Sequence, residues 1–255
     1  MAGSRFRAAG GSAKPCAMDN AYQILGDPRA PILIIADHAS NHVPEGIDLG
    51  LPPETMREHV ALDIGVAEVA ALLVAMGDCC AILGGVSRLV IDYNREPDAA
   101  GLVPVHSDGH HVEGNQVADV ADRLARFYDP YHARVADLAG QAHRPFLLSL
   151  HSFTPALRSR PEEARPWDIG ILYNADDRAP RIAMPLLAGA GLVVGEQEPY
   201  SGKLLNASMN RHAEAHGRPY LGVEMRQDRV GDAAGQRRFA DILHPVLVQC
   251  RNALA

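Results

Sequence analysis

Short unbroken apolar runs alternate with longer stretches of helical periodicity along this chain. Residues 31–37 (PILIIAD), 145–152 (PFLLSLHS) and 220–225 (YLGVEM) are mostly apolar without period-two alternation, the pattern of strands buried on both faces of a parallel sheet, and each ends in or carries an ionisable residue. Residues 79–83, 88–93, 168–173 and 192–195 read as further strands, and 21–26 as a short edge element. Between them, residues 54–76 place Val60, Ile64, Ala67, Ala71 and Val74 at helical spacing, with Gly77 as the stop. On that helix His59 and Asp63, four apart, share a face. Residues 116–141 repeat the helical pattern through Val120, Leu124, Phe127, Tyr131, Val135 and Leu138, with Pro130 predicting a bend. Helices are also expected at 179–188, interrupted by Pro185, at 205–216, and from the N-cap candidate Asp232 through Cys250.

Strands alternating with helices predict an α/β fold: a three-layer sandwich around a mixed, mostly parallel sheet covered on both faces. Residues 1–20, rich in Gly, Ala and Ser, read as a flexible tail, and 21–255 as one domain. Of two long irregular stretches, 96–115 reads as a functional lid or a disordered segment, and 153–166 as a stretch that frames a pocket.

Composition narrows the partners. Hydrophobic content is 47% and formal net charge −7, with the charges dispersed. Without a clustered basic face, nucleic acid is not an expected partner. No segment reaches the ~20 apolar residues that cross a bilayer, and no apolar stretch follows Arg5, Arg7 and Lys14 as in a signal peptide. Cys16, Cys79, Cys80 and Cys250 lack CxxC spacing and read as free thiols. The expectation is a cytoplasmic protein.

Chemistry concentrates at the ends of the buried strands, where α/β sheets bind ligands. His38 follows the first run, His151 ends another, and Glu224 interrupts a third. Two imidazoles and a carboxylate suggest a metal site, although a lone histidine at a strand end is more often structural. Asn41 is a poor zinc ligand, whereas Asp63, flanked by apolar residues, is a better third donor, with His59 as a ligand or a partner to one. Glu224 is either a general base or half of an ion pair with Arg226. Asn94 and Arg95 close a strand where a planar guanidinium can grip a carboxylate, or else pair with Asp92 or Glu96. The EPYSGK loop lacks a full phosphate-binding pattern, and no GxSxG elbow supports a serine hydrolase.

The ordered set DHASNHVPE, HVALDIG, SRLVIDYNREP, LLSLHSFTP, GILYNAD and YLGVEMRQD resembles the N-formylglutamate amidohydrolase family over roughly residues 30–245. More distantly, Asp92–Arg95, Ser149–Ser152 and Glu224–Asp228 are similar to motifs of the zinc carboxypeptidase superfamily. This likeness implies a phosphorylase/hydrolase-like fold. It also implies a divalent metal, zinc, on His38 and His151, Glu224 as the base, and a carboxylate clamp at Asn94 and Arg95. The chain departs from that pattern where His38-x-x-Asn41 stands for His-x-x-Glu, which leaves Asp63 to supply the missing carboxylate or the metal weakly bound. Asn41, Ser152 and Ser201 complete the expected substrate contacts. The function implied is metal-dependent hydrolysis of an acidic N-acyl amino acid, N-formyl-L-glutamate first. The alternatives are another N-acyl amino acid as substrate, or a metal-free protein that binds small carboxylates.

Overall fold

The computed structural model describes residues 21–141 and 145–254, so the expected tail at 1–20 lies outside the described residues. In chain order the strands are β1 (Tyr22–Gly26), β2 (Ile32–Ala36), β3 (Cys79–Gly84), the small hairpin β4 (His106–Ser107) and β5 (His110–His111), β6 (Phe146–Phe153), β7 (Ile169–Leu172), β8 (Val194–Glu196) and β9 (Tyr220–Arg226). The helices are α1 (Val66–Met76), α2 (Val120–Arg123), α3 (Asp129–Gln141), α4 (Arg178–Gly189), α5 (Ala207–His212) and α6 (Ala233–Leu254).

Seven strands form one sheet in the order β1-β3-β2-β6-β9-β7-β8. The inner pairs β3–β2, β2–β6 and β6–β9 are parallel, as is β7–β8, while β1–β3 and β7–β9 are antiparallel. Burial follows the period-two alternation of a strand. Ile32, Ile34 and Ala36 join the core beneath α1, α4 and α6, whereas Leu33 and Ile35 join the core that contains Phe127, Tyr131 and Leu138 from the α3 side. Both faces are covered, so the molecule is the α/β sandwich that the apolar runs predict.

Four local expectations change. The helix expected over 54–76 exists only as α1 from Val66, and Gly65 ahead of it takes φ +81°. Asp63 therefore lies before the helix, its backbone N–H donating to the His38 carbonyl at 2.9 Å, and shares no helical face with His59. Residues 88–93 form turns instead of a strand, because β1 and β2 already occupy both sides of β3. The stretch 116–141 breaks at Asp119, whose side chain caps α2 by accepting from the Asp122 N–H. A wider π-type turn at Leu124–Tyr128 then precedes Pro130, which has no N–H for the carbonyl four residues back. By contrast α4 continues through Pro185, and Asp232 caps α6 by accepting from the Gly235 N–H at 2.8 Å.

After β2 the chain passes to β3 on one side, and after β6 it passes to β7, β8 and β9 on the other. The gap between the carboxyl ends of β2 and β6 is therefore a topological switch point, where an open α/β sheet forms its crevice.

Candidate active site

Four segments deliver their side chains to that crevice. His38 lies two residues beyond β2, and His151 lies near the end of β6, directly opposite Glu224 of β9 in the parallel register. The neighbours of these two residues, Leu150 and Val223, face the α1 side. Strand alternation thus turns His151 and Glu224 to the other face together. Asp63 arrives from the irregular segment before α1, steadied by Ser152, whose Oγ donates to the Ile64 carbonyl at 2.8 Å and whose N–H approaches Asp63 Oδ2 at 3.4 Å.

The result is a compact buried group. Asp63 Oδ2 lies 2.8 Å from His151 Nδ1 and 3.4 Å from His38 Nδ1, and one donor atom from each residue falls within 4.8 Å of the others. The His38 and His151 ring centroids are 4.9 Å apart. His38 Nε2 is held by Asp92 Oδ1 at 2.6 Å, and its Nδ1 has no hydrogen-bond partner. Arg88 reaches across to Asp63 Oδ1 at 3.3 Å and Asp92 Oδ2 at 3.0 Å.

Electrostatics follow from this packing. Burial alone would raise the carboxyl of Asp63, but the imidazoles of His38 and His151 hold it well below the usual carboxylate range. Asp92 is depressed in the same way, against burial, by His38 and Arg88. Burial also opposes protonation of His151, yet the adjoining Asp37 and Asp63 carboxylates push it well above the ordinary histidine value. Glu224 goes the other way: burial raises it to about 7, with only partial relief from His151.

The donor set fits a divalent cation. Two imidazole nitrogens and one carboxylate oxygen, buried and convergent, are the ligand chemistry of hydrolytic zinc sites. His38 Nδ1, buried and without a hydrogen-bond partner among the described residues, is turned towards Asp63 and is a nitrogen that a cation could take.

Around the group lies a cavity of about 160 Å³, and Asn94, Arg95, Tyr200 and Asn206 line it with Glu224. Asn94 Oδ1 accepts from the Ser208 N–H at 3.0 Å, and Arg95 Nε lies 3.7 Å from Asp92. Arg226 pairs with Asp228 at 2.8 Å, so it is not the partner of Glu224. Two expected contacts fall outside the lining. Asn41 is exposed and donates to the Met56 carbonyl at 2.7 Å, and Ser201 Oγ accepts from the Lys203 N–H at 3.3 Å. His59 lines the cavity but pairs with Asp108 at 2.9 Å, away from the donor group. Asp108 also accepts from the Arg158 and Ser159 backbone N–H groups, tying the two long irregular stretches together over the site.

Sequence reasoning passed over Asp37, Arg88 and Tyr200. The first two were visible as charges embedded in apolar runs, the same signal that marked Glu224. Tyr200 had no such signal, because a tyrosine beside a glycine loop reads as ordinary surface.

Residues 30–230 match the family model described as N-formylglutamate amidohydrolase. A gene product of Agrobacterium tumefaciens has a similar structure, with TM-score 0.84 and 27% identity, the match covering 92% of this chain and 96% of that one. The N-formylglutamate amidohydrolase of Ralstonia eutropha shares the fold at TM-score 0.75 and 20% identity, over 91% of this chain and 98% of that one. No curated protein sequence matches the chain.

Proposed function

The chain belongs to the N-formylglutamate amidohydrolase family, and from that premise we propose that it hydrolyses the amide of an acidic N-acyl amino acid, N-formyl-L-glutamate first among them, with zinc held by His38, Asp63 and His151. The observation that carries this reading is the placement of Glu224, buried and with Oε2 free of a hydrogen-bond partner among the described residues, directly opposite His151 on the strand beside a buried His-Asp-His donor group. A cation bound there supplies Lewis-acid activation of the acyl carbonyl and of water.

The chain's own residues do the rest. Glu224 takes a proton from the attacking water at its carboxylate and later gives it to the departing amine nitrogen. With no competing hydrogen bond on Oε2 among the described residues, the carboxylate is available for both transfers. Arg95 and Asn94, at the cavity wall, bind and orient a substrate carboxylate, and the Arg95 guanidinium offers the planar fork that such a group prefers. Ser152 keeps Asp63 in place. The products are the free acid, formate for a formyl group, and the amino acid.

A panel of N-formyl, N-acetyl and longer N-acyl derivatives of glutamate, aspartate and leucine, assayed with and without added zinc, tests the reading. Zinc-dependent turnover that favours short acyl groups on acidic residues is expected, with Arg95→Ala raising KM for the acidic substrates roughly tenfold or more. Equal turnover of the leucine derivative, or an unchanged KM in the variant, would remove the clamp. Turnover indifferent to chelation would remove the metal.

A further inference from the structure

Asp37 is wholly buried one residue before His38, outside the three-donor group. Its Oδ1 accepts a hydrogen bond from the Tyr131 hydroxyl of α3 at 2.8 Å. Its Oδ2 faces His151 Nε2 at 3.6 Å, and among the described residues neither atom has a hydrogen-bond partner. Two buried polar atoms left unpaired are costly, and here each is the natural complement of the other. A small rotation of the His151 ring closes the gap to hydrogen-bonding distance.

His38 displays the completed arrangement, with Nε2 on the Asp92 carboxylate and Nδ1 turned towards Asp63. His151 is built to the same plan, with Nδ1 on Asp63 and Nε2 towards Asp37. An imidazole that binds a cation through one nitrogen must carry its proton on the other, and a carboxylate facing that nitrogen selects the tautomer and fixes the ring. Tyr131 is itself held: its ring stacks on Tyr93 with centroids 4.2 Å apart, and Tyr93 is anchored by its hydroxyl to the Ala21 carbonyl at 2.8 Å.

We propose that Asp37, aimed by Tyr131, is a positioning residue that keeps the proton of His151 on Nε2 and leaves Nδ1 free to bind a divalent cation. This rests on the metal reading above and adds to it a device that spans the sheet and α3. It also accounts for the buried Tyr131 hydroxyl, whose one hydrogen bond goes to Asp37.

The test is zinc affinity of the full chain, measured by competition with a chromogenic chelator, for the unmodified protein, Asp37→Asn and Tyr131→Phe. Asparagine keeps the shape and the Tyr131 hydrogen bond but presents an amide N–H where His151 Nε2 needs an acceptor. A roughly 10–100-fold weaker zinc Kd is expected for Asp37→Asn, and about fivefold weaker for Tyr131→Phe, which keeps the carboxylate but loses the hydrogen bond that aims it. Nitrogen NMR of the zinc-loaded unmodified protein should show the His151 proton on Nε2. Unaltered zinc affinity in folded Asp37→Asn, or a proton found on Nδ1, would overturn the proposal. If Asp37→Asn does not fold, unaltered affinity in Tyr131→Phe overturns it alone. Failure of the unmodified protein to bind zinc would instead overturn the metal reading, and this inference with it.

Discussion

At the scale of single residues, the protein concentrates its electrostatic strain where its chemistry is expected. Asp63 and Asp92 are ionised because cationic partners outweigh their burial, whereas Glu224 shares the same buried setting without a direct donor on Oε2. That asymmetry separates two roles that carboxylates can take, a ligand and a base. Replacing Glu224 with Gln should lower kcat by roughly 10²–10⁴-fold while bound zinc, measured by atomic absorption, stays at the unmodified level. Metal lost along with activity would make Glu224 a ligand and return Asp63 to structural duty.

At the scale of elements, the site depends on a helix that starts late. Gly65 takes a left-handed backbone conformation, and a Cβ placed there would lie 2.3 Å from the Val230 carbonyl oxygen. This glycine lets the chain turn from Asp63 into α1 while α1 packs against the segment before α6. Gly65→Ala should therefore destabilise the fold by on the order of 1–3 kcal/mol, seen as a lower urea midpoint, and should weaken zinc binding by displacing Asp63. A variant with an unchanged midpoint and unchanged zinc affinity would show that the corner tolerates a side chain and that Asp63 is held by Ser152 alone. The helical periodicity read through residues 54–65 was real as a pattern of apolar positions. Those residues bury Val60 and Ala61 in the core without a helix because Gly65 and the bond from Asp63 N–H to the His38 carbonyl take the backbone elsewhere.

At the scale of the whole molecule, buried imidazoles make stability depend on pH. His132 and His212 stack under the site with a 2.9 Å hydrogen bond between them. Burial lowers His132 to about 4 against the pull of Asp37, and burial with the neighbouring imidazole lowers His212 to about 3. Below pH ~6.5 the unfolded chain takes up two protons that the folded chain refuses, so stability falls as pH drops towards 4. Glu224, raised to about 7, works against this, because the folded state binds its proton first. The raised imidazoles His38 and His151 act only above pH ~6.5, where the stability they bring is lost as pH rises. His59, also lowered by burial, adds to the loss, so the lowered imidazoles outweigh the one raised carboxyl and the fold loses stability as pH drops below ~6.5. Urea unfolding of the metal-free protein at pH 6.5 and 5 should show the lower midpoint at pH 5. A flat or reversed dependence would mean that the two imidazoles are protonated in the fold.

Much of this architecture was legible without coordinates, because a strand buried on both faces must be apolar at every position. The runs at β2, β6 and β9 therefore announced themselves, and so did the polar residues His38, His151 and Glu224 at or within them. Strand alternation and the parallel register then bring His151 beside Glu224. The apolar flanks of Asp63 favoured it over Asn41 as the third donor, but the sequence could not place Asp92 and Arg88 around the group, because Asp63 and Asp92 come from irregular segments whose path is set by long-range hydrogen bonds and by which sides of β3 were already taken. Nor could it dismiss Asn41, whose spacing from His38 was suitable and whose side chain the folded backbone turns outward. The local alternation of apolar and polar positions determined the layers and the strand ends. Only packing between segments far apart in sequence decided which charges share the cleft, because the cost of burying a charge is relieved by neighbours that the chain order does not name.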